Sequence, residues 1–203
     1  MPIAKPFRSL PPLKRKEYNH EFADYVWFTN FFTPEEIVKI RALWNDEQVI
    51  DAKVVDKGEG LMRDDLRKSR VMWIKPGINN WIYDKLEQAC NQTNMNRYKF
   101  EVVGFQTELQ LAEYTGGGFF DWHMDFGAGD PSNRKLSITV QLSAPEEYEG
   151  GDLQFMINQN IIDAPRTQGT AIIFPSFGLH RVLPVTSGKR MSIVGWIAGP
   201  PYR

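Results

Sequence analysis

The sequence predicts a mainly β, α+β protein: an antiparallel sandwich or barrel, of which the jelly roll is one form, with helices from the first half packed on one sheet. Three observations predict it. From Phe100 onward apolar and polar residues alternate in short runs, the period of strands with one buried face. Turn clusters separate those runs, at Gly116-Gly117-Gly118, residues 127–133, Glu149-Gly150-Gly151, Gln168-Gly169 and Ser187-Gly188. No helical pattern falls between them, which argues against a parallel βαβ sheet.

The elements follow in chain order. Residues 1–20 carry Lys5, Arg8, Lys14, Arg15 and Lys16 among prolines without apolar periodicity, and read as an exposed arm. Residues 21–99 read as mixed helical support. A short strand is expected at 25–28. Next, Thr33-Pro34-Glu35-Glu36 places an N-cap, a first-turn proline and a capping-box glutamate in sequence. A helix over 34–44 should bury Ile37, Ile40, Leu43 and Trp44 as one stripe. Strands are expected at 49–55 and 69–74 around a polar loop at 56–65. A second helix should start at Asn80 and run to Cys90 or a little beyond, with Trp81, Leu86 and Ala89 apolar. Residues 100–203 read as the catalytic β core, with its clearest strands at 105–111, 136–142, 153–156, 171–174 and 191–197. No Pro- or Ser-rich linker divides the 203 residues, so a single domain is expected.

Composition narrows the function. A formal net charge of −1 gives no broad positive field, so neither nucleic acid nor an anionic membrane is an expected partner. No apolar run approaches the ~18 residues of a membrane span and no leader pattern opens the chain, so the expected location is cytoplasmic. Cys90 is the only cysteine, which excludes an intrachain disulfide and a Cys-rich zinc site. The chain has only three histidines, His20, His123 and His180.

Trp122-His123-Met124-Asp125 is the feature that matters most locally. In an extended segment residues i and i+2 share a face, so His123 and Asp125 can turn an imidazole and a carboxylate to one point while Trp122 and Met124 face away. With His20 in the arm, His180 is the candidate third ligand, following the apolar run 171–174 where the chain leaves the sheet. Two histidines and one carboxylate leave a face of the metal open, as in non-haem Fe(II) oxygenases, with zinc hydrolysis as the chemical rival. Downstream, Arg190 and Ser192 are again i and i+2, and a guanidinium fork matches a carboxylate in bidentate fashion. A dicarboxylate co-substrate needs such an anchor; a zinc-bound water does not.

Over residues 110–196 the chain resembles the 2-oxoglutarate/Fe(II) oxygenase superfamily, in its prolyl 4-hydroxylase-like, PKHD-type branch. The stretches that carry the resemblance are Gln110-Leu111-Ala112-Glu113-Tyr114, the Gly116–Gly118 turn, His123-Met124-Asp125, Leu136-Ser137-Ile138-Thr139-Val140-Gln141-Leu142, Glu149-Gly150-Gly151-Asp152-Leu153, residues 169–174, residues 180–192 and Trp196. The resemblance implies a double-stranded β-helix (jelly-roll) core, iron on His123, Asp125 and His180, the far carboxylate of 2-oxoglutarate on Arg190, and a contact from Tyr114 to the co-substrate. Ser192 and Gln110 are further candidates near it, and L-ascorbate enters as a cofactor by resemblance alone. Related halogenases replace the carboxylate, so Asp125 implies hydroxylation. Nucleic-acid dealkylases carry a second arginine six residues past the anchor, where this chain has Trp196. The implied substrate is a prolyl or other residue of a protein or peptide, or else a free small molecule. A non-catalytic jelly-roll metal- or ligand-binding module is the rival outside enzymes. Phe119, Phe120 and Trp122 read as core packing or substrate wall, Lys189 as solvated, Asp152 as structural, and loops 115–121 and 127–133 as candidate lids.

Overall fold

The structure of the protein, a computed structural model, describes residues 22–52, 54–56, 59–61, 63 and 65–202. The arm expected over 1–20, with His20, lies outside the described residues, as does part of the polar loop at 56–65.

The elements are β1 (Val26–Phe28), α1 (Pro34–Arg41), β2 (Ile50–Asp51), β3 (Val54–Asp56), β4 (Glu59–Leu61), β5 (Arg67–Lys68), β6 (Arg70–Ile74), α2 (Asn80–Thr93), β7 (Gly104–Phe105), β8 (Leu109–Tyr114), β9 (Phe119–His123), β10 (Arg134–Gln141), β11 (Tyr148–Gly150), β12 (Leu153–Ile157), β13 (Asn160–Asp163), β14 (Ala171–Pro175), β15 (His180–Val182), β16 (Val185–Gly188) and β17 (Arg190–Ala198). Eight strands form a major antiparallel sheet in the order β1-β14-β10-β17-β8-β6-β2, with β7 also on β17. A five-stranded sheet, β13-β12-β15-β9-β5, faces it, so the core is mainly β and double-layered. None of the helices among the described residues is long and apolar enough to cross a membrane.

Strand alternation explains the layering. In β10, Leu136, Ile138 and Val140 join a buried cluster with Ile37 and Ile40 of α1 and Ile82 and Leu86 of α2. The intervening Ser137, Thr139 and Gln141 point the other way, between the sheets. In β17, Met191, Ile193 and Ile197 face the helices while Arg190 and Ser192 face inward. In β14, Ile172 and Phe174 join Tyr114, Leu153, Phe155 and Val182 in a second core between the two sheets. The helices therefore pack on one sheet, as the sequence predicts, and the other face of that sheet is left to the site.

Helix α1 begins as expected: the Thr33 hydroxyl accepts from Glu36 N–H, and Glu36 accepts from Thr33 N–H at 2.8 Å. It ends at Arg41 rather than 44, because Leu43 and Trp44 donate backbone bonds to Ile40 and Arg41 in a tighter turn. Both still pack against the core. Helix α2 runs to Thr93 and continues through a π-helical turn, Asn94–Tyr98, that Lys99 closes in the left-handed region at φ 58°. The strand expected at 49–55 is divided between β2 and β3, and the one expected at 105–111 is broken at 106–108. There the Gln106 backbone still donates to Trp196 of β17, while its side chain donates to the Asp130 carbonyl and accepts from Arg134.

One expectation is corrected. Residues 115–121 are not a lid: only 115–118 turn, and 119–121 belong to β9, which pairs with both β15 and β5 inside the second sheet. Lys189 is exposed, as expected, and its Nζ also lies 2.6 Å from Glu113, a carboxylate with no exposed side-chain surface that Arg70 also holds.

Candidate active site

The site lies between the sheets, at the second one's centre. His123 ends β9 and His180 opens β15; the two are direct cross-strand partners, so their rings stand on one face with centroids 4.1 Å apart. His180 thus begins a strand rather than leaving one. Asp125 sits in the bend just past β9, not within a strand, yet its carboxylate still turns toward His123, Oδ1 lying 3.7 Å from His123 Nε2 and Oδ2 3.8 Å from His180 Nε2. The three ligand atoms fall within 4.8 Å of one another.

Backbone hydrogen bonds set the tautomers. His123 Nδ1 lies 2.7 Å from the Asp121 carbonyl and His180 Nδ1 2.8 Å from the Gly178 carbonyl. A carbonyl can only accept, so each Nδ1 carries the proton and each Nε2 presents a lone pair to the shared point. Burial, with His180 next, pushes the His123 pKa down to about 3, so its imidazole is neutral, as a metal ligand must be. Burial pushes Asp125 up, but His180, His123 and the Ser137 hydroxyl outweigh it and hold the carboxyl below its usual range. Ser137 Oγ donates to Asp125 Oδ2 at 2.6 Å and touches Ser176 Oγ at 3.0 Å.

From this trio a narrow cavity of about 50 Å³ runs inward to Arg190 and Ser192, past Tyr114, Thr139 and the apolar wall of Leu153, Phe174 and Val182. Arg190 is 2% exposed. It donates to Gln141 Oε1 at 3.0 Å and to Ser192 Oγ at 3.4 Å, and its Nε has no partner. Among the described residues no carboxylate pairs with it. Its register opposite Tyr114 puts that ring 5.3 Å from the guanidinium. Gly151 makes room for the Arg190 stem: it holds φ +65°, and a Cβ there would meet Val185 Cγ2 at 2.8 Å and Arg190 Cδ at 3.1 Å.

On the other side the trio opens into a wider cleft of about 220 Å³, bounded by Trp73, Met124, Phe126, Pro131 and Trp196. Met124, expected to face away, lines this cleft; Trp122 instead lies beneath the guanidinium of Arg181, 4.5 Å from its ring centroid. Phe120 stacks on His123 with centroids 3.4 Å apart, so it is a wall of the site. Gln110 lines both spaces and accepts from Arg67. Asp152 pairs with Arg166 at 2.9 Å, away from the trio.

Sequence reasoning missed Ser137, Thr139, Gln141, Arg134 and Arg67. The first three had a signal: polar residues at every second position of an otherwise apolar strand. Arg134, stacked 4.0 Å from the Trp196 ring, and Arg67 had none beyond being basic residues near strands.

Residues 109–198 match the family model of the 2OG-Fe(II) oxygenase superfamily. A PKHD-type hydroxylase of Synechococcus sp. (strain CC9902) is 40% identical over 81 residues, which are 40% of this chain and 36% of that protein. The match thus spans little more than a third of that curated relative. Among solved structures, a prolyl-4-hydroxylase of Pseudomonas putida superimposes with TM-score 0.70 at 22% identity, covering 87% of this chain and 93% of that one. A prolyl hydroxylase from Trichoplax adhaerens, in complex with a hypoxia inducible factor oxygen degradation domain peptide fragment, superimposes with TM-score 0.70 at 14% identity over 86% of this chain and 83% of that one. At these identities the structural likeness establishes the jelly-roll fold.

Proposed function

We propose, from the match of residues 109–198 to the 2OG-Fe(II) oxygenase superfamily model, that this protein is an Fe(II)- and 2-oxoglutarate-dependent hydroxylase acting on a prolyl or other residue of a peptide. His123, Asp125 and His180 hold the iron, and Arg190 receives the far carboxylate of the co-substrate. The observation that carries the reading is the buried guanidinium of Arg190, which lines the cavity and pairs with no carboxylate among the described residues. A buried cation with no counter-charge costs several kcal/mol, and a dicarboxylate would supply the missing partner. Zinc hydrolysis gives that arginine nothing to do.

Bound Fe(II), with 2-oxoglutarate and O₂, supplies the oxidation: the co-substrate becomes succinate and CO₂ while one oxygen atom enters a substrate C–H bond. The chain's own residues position and shield. The carbonyls of Asp121 and Gly178 fix both imidazoles, and Ser137 fixes Asp125. Tyr114, whose hydroxyl has no partner among the described residues, donates to the co-substrate, with Gln110 behind it and Ser192 beside Arg190. Leu153, Phe174 and Val182 keep water out of the inner cavity. A peptide substrate is supported by the wider cleft beside the trio and by the names of the similar proteins.

The test is succinate release by the purified protein with Fe(II), 2-oxoglutarate, O₂ and peptides from host-cell proteins, with mass spectrometry for the gain of one oxygen atom. Release that disappears in His123→Ala supports the reading; no release from the wild type contradicts it.

A further inference from the structure

Arg67 is a second buried guanidinium beside the trio, and the reading above gives it no work. It is 7% exposed and lines both the inner cavity and the wider cleft. It opens β5, opposite Phe120 of β9, so its side chain stands on the face that carries His123. Its guanidinium carbon lies 4.6 Å from the Phe120 ring centroid, and that ring stacks on His123. Nε donates to Ser69 Oγ at 2.8 Å and Nη2 to Gln110 Oε1 at 2.9 Å. Among the described residues Nη1 has no hydrogen-bond partner and no carboxylate pairs with Arg67.

Two neutral acceptors hold the plane of the guanidinium but do not offset its charge. Burying a cation this way is costly unless an anion completes it. 2-Oxoglutarate brings two carboxylates. On the reading above one goes to Arg190 and the other to the metal, so the anion for Arg67 has to come from elsewhere. On the reading above the substrate reaches the trio through the cleft on which Arg67 opens, and the rings of Trp73 and Trp196 give that cleft apolar walls.

We propose that Arg67 binds a carboxylate carried by the primary substrate, so that the enzyme selects substrates with an anionic group close to the C–H bond it oxidises and an apolar body against the tryptophans. This rests on the oxygenase reading and names its substrate class. The carboxylate is either that of a small free acid or an acidic group of a peptide, and the chemistry at Arg67 is the same for both.

The test uses Trp73 and Trp196 as reporters. Protein loaded anaerobically with Fe(II) and 2-oxoglutarate is titrated, by tryptophan fluorescence, with N-acetyl-L-leucine and 3-phenylpropionate against their amides. A second arm titrates a C-terminally amidated hexapeptide containing glutamate against its glutamine counterpart. The wild type should bind the acid of at least one pair about ten- to a hundredfold more tightly than the neutral partner, the worth of a charge-assisted hydrogen bond. The arm that shows the preference identifies the source of the carboxylate. Arg67→Met should erase the preference, and Arg67→Lys should keep part of it. The weak visible band formed by Fe(II) and 2-oxoglutarate should persist in both variants. Equal binding of acid and neutral partner by the wild type in both arms overturns the proposal, whether or not Arg67→Met folds. So does loss of the visible band in Arg67→Met with the acid preference intact, which would make Arg67 a co-substrate residue. A wild type with no band and no succinate release would instead sink the oxygenase reading, and the fluorescence titrations distinguish the two failures.

Discussion

Four side chains at the site make predictions that separate metal, co-substrate and fold. Arg190→Ala removes the buried guanidinium that lines the inner cavity beside Ser192. Losing two charge-assisted hydrogen bonds, at about 1.5–3 kcal/mol each, should weaken 2-oxoglutarate binding by a hundredfold or more, measured by titration of the anaerobic protein. Iron binding should change little. Ser137→Ala should do the reverse, because Asp125 loses the hydroxyl that orients it: Fe(II) affinity should fall about ten- to a hundredfold, while affinity for the co-substrate at saturating iron is kept. The pH dependence of the metal-free protein follows from His123. Its pKa is pushed down to about 3 in the fold, against ~6.5 when unfolded, so between those values the unfolded chain binds the extra proton. Stability should therefore fall as pH drops from about 6.5 toward 3. Asp125, also held low, adds loss in the same direction as it protonates. Melting temperatures across that range should show a shallower decline for His123→Leu, which has no proton to take up there.

At the scale of elements, β10 and β17 each do two jobs by alternation. One face, with Ile138 and Ile193, joins the helices; the other, with Ser137, Gln141, Arg190 and Ser192, builds the site. Substitutions on the two faces should have different signatures. Leu86→Ala in α2, fully buried against the major sheet, should cost about 2–5 kcal/mol of stability while leaving 2-oxoglutarate affinity unchanged. Gly151→Ala should lower both, since φ +65° strains a side chain and its Cβ would press on Arg190 Cδ. Thermal melts paired with co-substrate titrations read the difference. The clamp of Arg70 and Lys189 on buried Glu113 ties β6 and the residue just before β17 to β8 next to Arg190. Lys189 looks like any surface lysine in the sequence, because its partner lies 76 positions away in the chain.

For the whole molecule, what was legible in the sequence was whatever depends on local spacing. Period-two alternation predicts the inward pairing of Arg190 and Ser192, and the capping box predicts the start of α1. His123 and Asp125 lie close enough in sequence for their convergence to be read directly. What escaped depends on how distant strands meet. The site wall at Phe120, the bond that Arg190 donates to Gln141 and the burial of Arg67 all come from sheet register, which no local pattern encodes. The lid expected at 115–121 failed for the same reason: its glycines are a tight turn, and the residues after them are claimed by strands on both sides. The family match covers residues 109–198, which supply most of the cleft wall, whereas Arg67 and Trp73 reach it from before that stretch. On the proposed function one cavity takes Fe(II) on His123, Asp125 and His180 and 2-oxoglutarate on Arg190. The most direct measurement of this is an anaerobic optical titration with Fe(II) and 2-oxoglutarate. A weak visible band should appear only when both are present, should vanish in His123→Ala, and should need far more 2-oxoglutarate in Arg190→Ala; a wild type with no band, or a band indifferent to Arg190, would contradict it.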